Sequence, residues 1–236
     1  MNNVIGKVRR ALDEYSMIND NDKVAIALSG GKDSVALLVA LCEIKKYYSK
    51  KFEVIAITLD PCFNNKKTDF SSISKLCEKL NVQHIIKKTN LWEIIFDIRK
   101  ERSPCSLCAK MRRGILHTVC IEHNCQRIAL GHHQDDAIET FLMNLFHNGK
   151  LECFSPLSYL SRRNLFMIRP MILCNEKEIK NFIFNYNLPT CKSNCPMDGH
   201  TERENFKNLT NLIESKYPNL RKNLINSLKK SNLNNW

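Results

Sequence analysis

The sequence predicts an α/β protein, doubly wound around a mostly parallel five-stranded sheet, and three observations carry that expectation. Short continuous apolar runs recur along the chain, each followed by a stretch of helical period, which is the signature of βαβ units whose strands are buried on both faces. A Gly-Gly turn follows the first of these runs, where an open parallel sheet places its ligands. The 236 residues, 43% hydrophobic, suffice for a substantial core.

In chain order, Val4, Ile5, Val8, Leu12 and Tyr15 recur at helical spacing over residues 4–18, an amphipathic leading helix. KVAIALS (23–29) reads as a buried strand, 33–48 as a helix, FEVIAITLD (52–60) as a second strand and 69–81 as a second helix. QHIIKKT (83–89) is a third strand, followed by helical LWEIIFDIRK (91–100) and, after a cysteine-bearing turn, a helix near 106–123. RIALG (127–131) and LFMIRPM (165–171) complete the strands, with helices over 134–146 and 175–187. Beyond Pro189 two short polar helices split by Pro218 carry Arg203, Lys207, Lys216, Arg221, Lys222, Lys229 and Lys230, a basic tail. The expected domains are therefore an N-terminal helix (1–20), an α/β domain (21–189), and a Cys loop with basic tail (190–236).

Composition limits the function classes. No apolar stretch approaches the roughly 18 residues of a membrane span, and MNNVIGKVRRALDEYSMI has no continuous apolar export region. The expectation is a cytoplasmic protein with no membrane partner. A net charge of +12 suits a polyanion such as nucleic acid, although the Asn-, Lys- and Ile-rich wording of the chain accounts for some lysines as solvated surface. Eleven cysteines without an export signal point to thiol, metal or redox chemistry rather than disulfides. Cys42, Cys77, Cys120 and Cys174 fall in apolar patterns and read as small core residues.

The loop ALSGGKDS is the first candidate site. Gly30 and Gly31 let the backbone approach an anion, helix N–H groups point at it, and Lys32, Ser29 and Ser34 add charge and donors. The spacing is not that of a Walker loop: Ile26 stands at the required first glycine and Asp33 follows the lysine. A capped Gly-Gly turn would explain the glycines but not Lys-Asp-Ser opening a helix. Asp33 beside phosphates suits Mg²⁺, a hard cation that prefers oxygen.

The fourth strand runs into GHHQDDAIETFLMNLF, where Gly131 permits close approach and Asp135 and Asp136 open a helix, as caps or as functional carboxylates. His132 and His133 read as turn histidines rather than metal ligands. In SPCSLCAKMRRGIL, Cys105 and Cys108 at a helix start are expected to be thiols of lowered pKa, spaced to hold zinc or an iron–sulfur cluster. A third thiolate must come from elsewhere, and CKSNCP supplies Cys191 and Cys195. Arg112 and Arg113, a turn further on, suit phosphate or transition-state charge, or else a solvated helix face.

SGGKDS resembles the loop of the PP-loop ATP pyrophosphatases, and together with CSLCAKMRRGIL and GHHQDDAIETFLMNLF, in that order, it resembles the tRNA 2-thiocytidine synthetase (TtcA-like) family over most of residues 20–200. The resemblance implies an adenine nucleotide alpha hydrolase-like fold and an ATP-dependent tRNA sulfurtransferase that adenylates the C2 oxygen of a tRNA pyrimidine and replaces it with sulfur. It implies a [4Fe–4S] cluster on Cys105, Cys108 and Cys195, with Cys191 the alternate, and ATP with Mg²⁺ at Ala27, Ser29, Gly30, Gly31, Lys32, Asp33, Ser34, Leu59, Gly131 and Asp136. Asp135 and Arg112, with the cysteine pair, are the implied catalytic residues. The implied partners are tRNA and a sulfur donor, either a cysteine desulfurase or inorganic sulfide, and a homodimer is a family expectation. Gln134 stands where the bacterial enzymes read GHHRDD, so 2-thiouridine or another PP-loop product stays open. A zinc-dependent RNA-binding module built on Cys105, Cys108, Cys191 and Cys195 is the alternative of another class.

Overall fold

The computed structural model describes residues 3–100, 104–192, 194–197, 199 and 202–236; Ser103 and Ser193 of the two cysteine motifs, and residues 1–2 of the leading helix, lie outside the described residues. The chain runs α1 (Asn3–Glu14), β1 (Asp22–Ala27), α2 (Lys32–Lys45), β2 (Phe52–Asp60), α3 (Ser71–Lys79) and β3 (Gln83–Lys88), then α4 (Pro104–Glu122), β4 (Arg127–Ala129) and α5 (Gln134–Asn148). It ends with β5 (Leu157–Leu160), β6 (Leu165–Ile168), α6 (Glu176–Asn185), α7 (Glu202–Lys216) and α8 (Leu220–Lys230). The strand order is β3-β2-β1-β4-β6-β5, and every pairing is parallel except β5 with β6.

The sheet therefore has six strands where the sequence predicts five. The missed strand, β5, is four residues of LSYL between Pro156 and Ser161, and it pairs only with β6. An edge strand with one neighbour and a half-exposed face needs no continuous apolar run, so nothing in its sequence separates it from a loop. Strand β6 stops at Ile168 rather than at 171, because Pro170 has no N–H for the ladder. Within residues 91–100 the helix is a single wider π-helical turn at Glu93–Ile98. Helix α4 begins at Pro104, so Cys105 and Cys108 lie inside its first turns, with proline at a position where its missing N–H costs nothing.

Strand alternation builds the two faces. Val24, Ile26 and Leu28 point to the larger core with α1, α2, α5 and α6, while Ala25, Ile55, Ile57 and Ile128 meet Leu116, Val119 and Cys120 of α4. Cys42, Cys77, Cys120 and Cys174 are buried in these cores as small apolar residues, and Cys125 and Cys153 join them. The basic tail packs into the same body. Phe206, Thr210, Ile225, Leu228 and Trp236 are buried, and the Trp236 indole donates to the Phe154 carbonyl at 2.9 Å. Among the described residues no helix is long and apolar enough to cross a membrane.

At the N-terminal end of the sheet Arg127 and Asp22 form a buried ion pair at 2.6 Å, and the Arg127 guanidinium lies 4.2 Å from the Phe166 ring centroid. Removing one partner strands a buried charge. Asp22→Ala is expected to cost about 3–5 kcal/mol in urea unfolding, and a loss below about 1 kcal/mol would show that water already screens the pair.

Candidate active site

Chain order reverses at β1: β2 and β3 are laid down on one side of it and β4 and β6 on the other. A crevice opens at the carboxyl ends of β1 and β4, the place where open α/β sheets hold ligands. The loop Leu28–Gly31 crosses it and delivers α2, whose first turn carries Lys32, Asp33 and Ser34.

Gly30 adopts φ +84°, a conformation glycine enters without strain, and its carbonyl accepts from the Cys191 N–H at 2.8 Å. The Ser34 hydroxyl donates to the Gly31 carbonyl at 2.9 Å and lies 3.1 Å from the Ser29 hydroxyl, so the loop is closed by its own serines. Gly131 is required by proximity: a Cβ there would stand 3.1 Å from the Asp33 carbonyl carbon and 3.2 Å from the Ser34 nitrogen. The end of β4 thus packs directly on the first turn of α2.

Lys32 is shared between two carboxylates, Asp33 at 2.9 Å and Glu176 at 3.2 Å. Burial pulls its pKa down, but the two carboxylates outweigh burial and the net shift is upward. Asp33 Oδ1 is buried with no hydrogen-bond partner among the described residues. Such an orphaned carboxylate oxygen beside a phosphate loop is suited to a hard cation. His133, buried at the start of α5, lies 3.7 Å from that Asp33 oxygen and 3.4 Å from Asp136 Oδ2.

The two aspartates of α5 separate, because adjacent helical residues project to different sides. Asp136 faces the loop: with Ser29, Asp33, Gly131 and Arg169 it lines a cavity of about 460 Å³. Its carboxylate accepts from the His133 N–H at 2.9 Å and pairs with Arg203 at 2.8 Å. Burial would raise its pKa, yet His133, Arg203 and His132 outweigh burial and lower it. Asp135, implied as catalytic by resemblance, is turned toward α6 and α8 instead. It accepts from the Glu176 N–H at 2.8 Å and from Arg221 Nε at 3.0 Å, and it lines a separate cavity.

A second cavity of about 460 Å³ lies on the β2 side of the loop, bounded by Ser29, Gly31, Lys32, Asp33, Leu59, Phe70, Arg112 and Cys191. Between the two, Ala27 and Leu59 share a slot of about 70 Å³ with Arg112 and Leu116.

Cys105, Cys108 and Cys195 line a third cavity of about 180 Å³ with Phe63, Phe96 and Arg112. The Cys105 and Cys108 thiols are not of lowered pKa as expected. Desolvation raises Cys105, reinforced by Cys195, and it raises Cys108 against the opposing pull of Arg112. Desolvation at the cavity wall, partial at the exposed Cys105 and fuller at the half-buried Cys108, outweighs the helix N-terminus, and a metal would favour the thiolates by taking the proton's place. Among the described residues no three His, Cys, Asp or Glu side chains converge to hold a single metal ion. Cluster thiolates each bind a different iron and stand further apart than ligands of one ion, so three thiols around an apolar cavity suit a cluster. Cys191 does not line this cavity. It is held at the nucleotide loop by its N–H, and its thiol donates to the Asp69 carbonyl at 3.4 Å.

Arg112 is in the wall of all four of these spaces, and Arg113 faces the β4-side cavity with His117, whose Nε2 is buried without a partner among the described residues. Three residues of the site escaped the sequence reading. Arg169, which donates to His132 at 3.2 Å, directly follows the apolar run LFMI, a strand-end position that could have flagged it. His133 read as an ordinary turn residue. Glu176 reads from sequence as an N-terminal helix charge, and nothing local reveals that it reaches Lys32.

Residues 3–207 match the family model described as a PP-loop domain. A tRNA-cytidine(32) 2-sulfurtransferase of Hahella chejuensis is 35% identical over 227 residues, which cover 94% of this chain and 78% of that protein. Another of that name from Dichelobacter nodosus is 36% identical over 213 residues, 89% of this chain and 79% of that protein. Among solved structures, the U34-tRNA thiolase NcsA from Methanococcus maripaludis with its [4Fe-4S] cluster superposes with a TM-score of 0.77 at 25% identity, covering 96% of this chain and 78% of that one. An NH3-dependent NAD synthetase from Campylobacter jejuni shares the fold at 18% identity, with a TM-score of 0.52 over 96% of this chain and 90% of that one.

Proposed function

The chain belongs to the PP-loop domain family, and from that premise we propose that it is an ATP-dependent tRNA sulfurtransferase that replaces the C2 oxygen of a tRNA cytidine with sulfur. The supporting observation is the position of Arg112, one guanidinium in the walls of both the loop cavity and the three-thiol cavity. Activation of an oxygen and its replacement by sulfur need two sites that share one reacting carbon, and Arg112 stands where they meet. The relatives named tRNA-cytidine(32) 2-sulfurtransferase support the substrate class and the base.

In this reading residues 21–189 bind the nucleotide, 1–20 brace them, and 190–236 supply the Cys loop and tail. The adenine lies in the slot at Ala27 and Leu59, and Gly30, Gly31, Lys32 and Ser34 hold the β- and γ-phosphates. Asp33 and Asp136 are the residues suited to Mg²⁺, which neutralises charge on the departing pyrophosphate. The cytidine O2 attacks the α-phosphorus, the bond to pyrophosphate breaks, and the ring carbon becomes bonded to an AMP leaving group. Sulfur then bonds to C2, and AMP leaves with the original oxygen. Cys105, Cys108 and Cys195 would hold a [4Fe–4S] cluster, which when bound would supply sulfur at the sulfide level. Arg112 stabilises the charge that develops at the α-phosphate and at O2, and its bidentate fork suits both.

The target base must leave its stack to reach such a crevice, which favours a nucleotide in a loop. Cysteine desulfurase or inorganic sulfide furnishes the sulfur. The zinc-module alternative needs Cys191 beside the other three thiols, whereas Cys191 is held at Gly30. In tRNA from a deletion strain, mass spectrometry of nucleosides is expected to show loss of 2-thiocytidine and its return on complementation. Loss of 2-thiouridine instead would keep the chemistry and change the base, and an unchanged set of thionucleosides would sink the thiolation reading.

A further inference from the structure

Four of the seven cations of the C-terminal helices pair with carboxylates of the protein itself. Arg203 pairs with Asp136 at 2.8 Å, Arg221 with Asp135 at 3.0 Å, and Lys229 with Glu14 at 2.8 Å. Lys207 lies 3.2 Å from Glu176 Oε2, while Lys32 of the nucleotide loop lies 3.2 Å from Oε1 of that same carboxylate. Lys180, a turn along α6, is also 3.2 Å from Oε1. One carboxylate therefore joins the loop lysine to the tail. Its backbone is fixed, because its N–H is tied to Asp135 and the first turn of α6 is closed by Asn175 and Glu178.

We propose that Glu176 is, beside the adjacent Asp33, a resting partner of Lys32 that competes with the nucleotide's phosphates for its ammonium, and that Lys207 from α7 sets the strength of that competition. The proposal rests on the reading of SGGKDS as an ATP-phosphate cradle. Lys32 must exchange a carboxylate for a phosphate oxygen when ATP arrives, and the carboxylate it leaves would face the incoming negative charge. Lys207 resolves both difficulties. It already lies 3.2 Å from Oε2 and 3.3 Å from Oε1 of Glu176, so the carboxylate pulls less strongly on Lys32 and remains neutralised after Lys32 has moved. Arg203, four residues earlier on α7, grips Asp136 of the same crevice, so α7 docks there by two cations on one helical face. Glu176 and Lys207 act through Lys32 and are positioning residues. The same geometry gives part of the basic tail an occupation other than RNA.

The test separates this from a merely structural role because the two residues are expected to act with opposite signs. In calorimetry of the full-length protein with a nonhydrolysable ATP analogue and Mg²⁺, Glu176→Gln should tighten binding and Lys207→Met should weaken it, each by roughly three- to tenfold. Lys207→Arg should restore the wild-type value, and Lys207→Met should have no further effect in the Glu176→Gln background. In steady state the KM for ATP should follow the same signs. Shifts of one sign in both variants, or shifts below about twofold in both, would overturn the proposal, as would a Lys207→Met protein that loses tRNA retention while binding the nucleotide normally. A wild-type chain that binds no nucleotide would overturn the cradle reading itself, and this inference with it.

Discussion

Cys195→Ala is expected to abolish both the iron–sulfur content of the anaerobically prepared protein and its tRNA thiolation, while Cys191→Ala retains the cluster. The two cysteines lie four residues apart in one loop, and sequence leaves either as third ligand. Their surroundings divide them. Cys195 lines the cavity of Cys105 and Cys108, and each of those two thiols feels it electrostatically. Cys191 is bound to the Gly30 carbonyl through its own N–H, and its thiol turns toward Asp69. Among the described residues no carboxylate lines that cavity to stand in for a lost thiolate. The loss in thiolation should be on the order of 100-fold or more, with iron and sulfide per chain falling in parallel. Iron retained in Cys195→Ala and lost in Cys191→Ala would reverse the assignment, and iron in neither wild type nor variants would refute the cluster.

Arg112→Ala is expected to lower kcat/KM for thiolation by about 10²–10³-fold, with Arg112→Lys recovering little of it. The guanidinium borders the phosphate loop, the slot at Ala27 and Leu59 and the thiol cavity, so it can meet charge at the α-phosphate and the substituted oxygen from one position. An ammonium offers a point charge without the planar fork. Arg112 also opposes the desolvation that raises the Cys108 thiol, so its removal makes that thiolate harder to form and cluster loading more dependent on alkaline pH. The measurements are pyrophosphate release and thionucleoside formation in the same reaction. A loss below about threefold in both would place Arg112 on a solvated helix face.

Much of the nucleotide loop is legible because its chemistry is local. Gly30, Gly31, Lys32, Asp33 and Ser34 are consecutive, and the apolar strand before them and the helical period after them fix where they stand in the fold. The parallel order of the buried strands is equally legible, since each carries its own continuous apolar run. The fifth strand in the chain is not, because an edge strand of four residues carries no such run. The raised pKa of the Cys105 and Cys108 thiols is not legible for a related reason: helix position is visible in sequence, and partial desolvation beside Phe63, Phe96 and Met197 is not.

By itself the sequence determined the α/β architecture, the Gly-Gly loop between β1 and α2 and the CxxC pair at a helix start, because each depends on residues within a few positions of one another. Only the tertiary structure decided that Asp136 rather than Asp135 faces the loop, that Cys195 rather than Cys191 joins the thiol pair, and that Glu176 and Lys207 converge on Lys32. Neighbouring side chains on a helix or loop leave the backbone in different directions, and which direction meets a partner depends on elements distant in the chain. Residues 32, 176 and 207 are separated by most of the protein, and only the packing of α2, α6 and α7 around one crevice brings their charges within 3.2 Å.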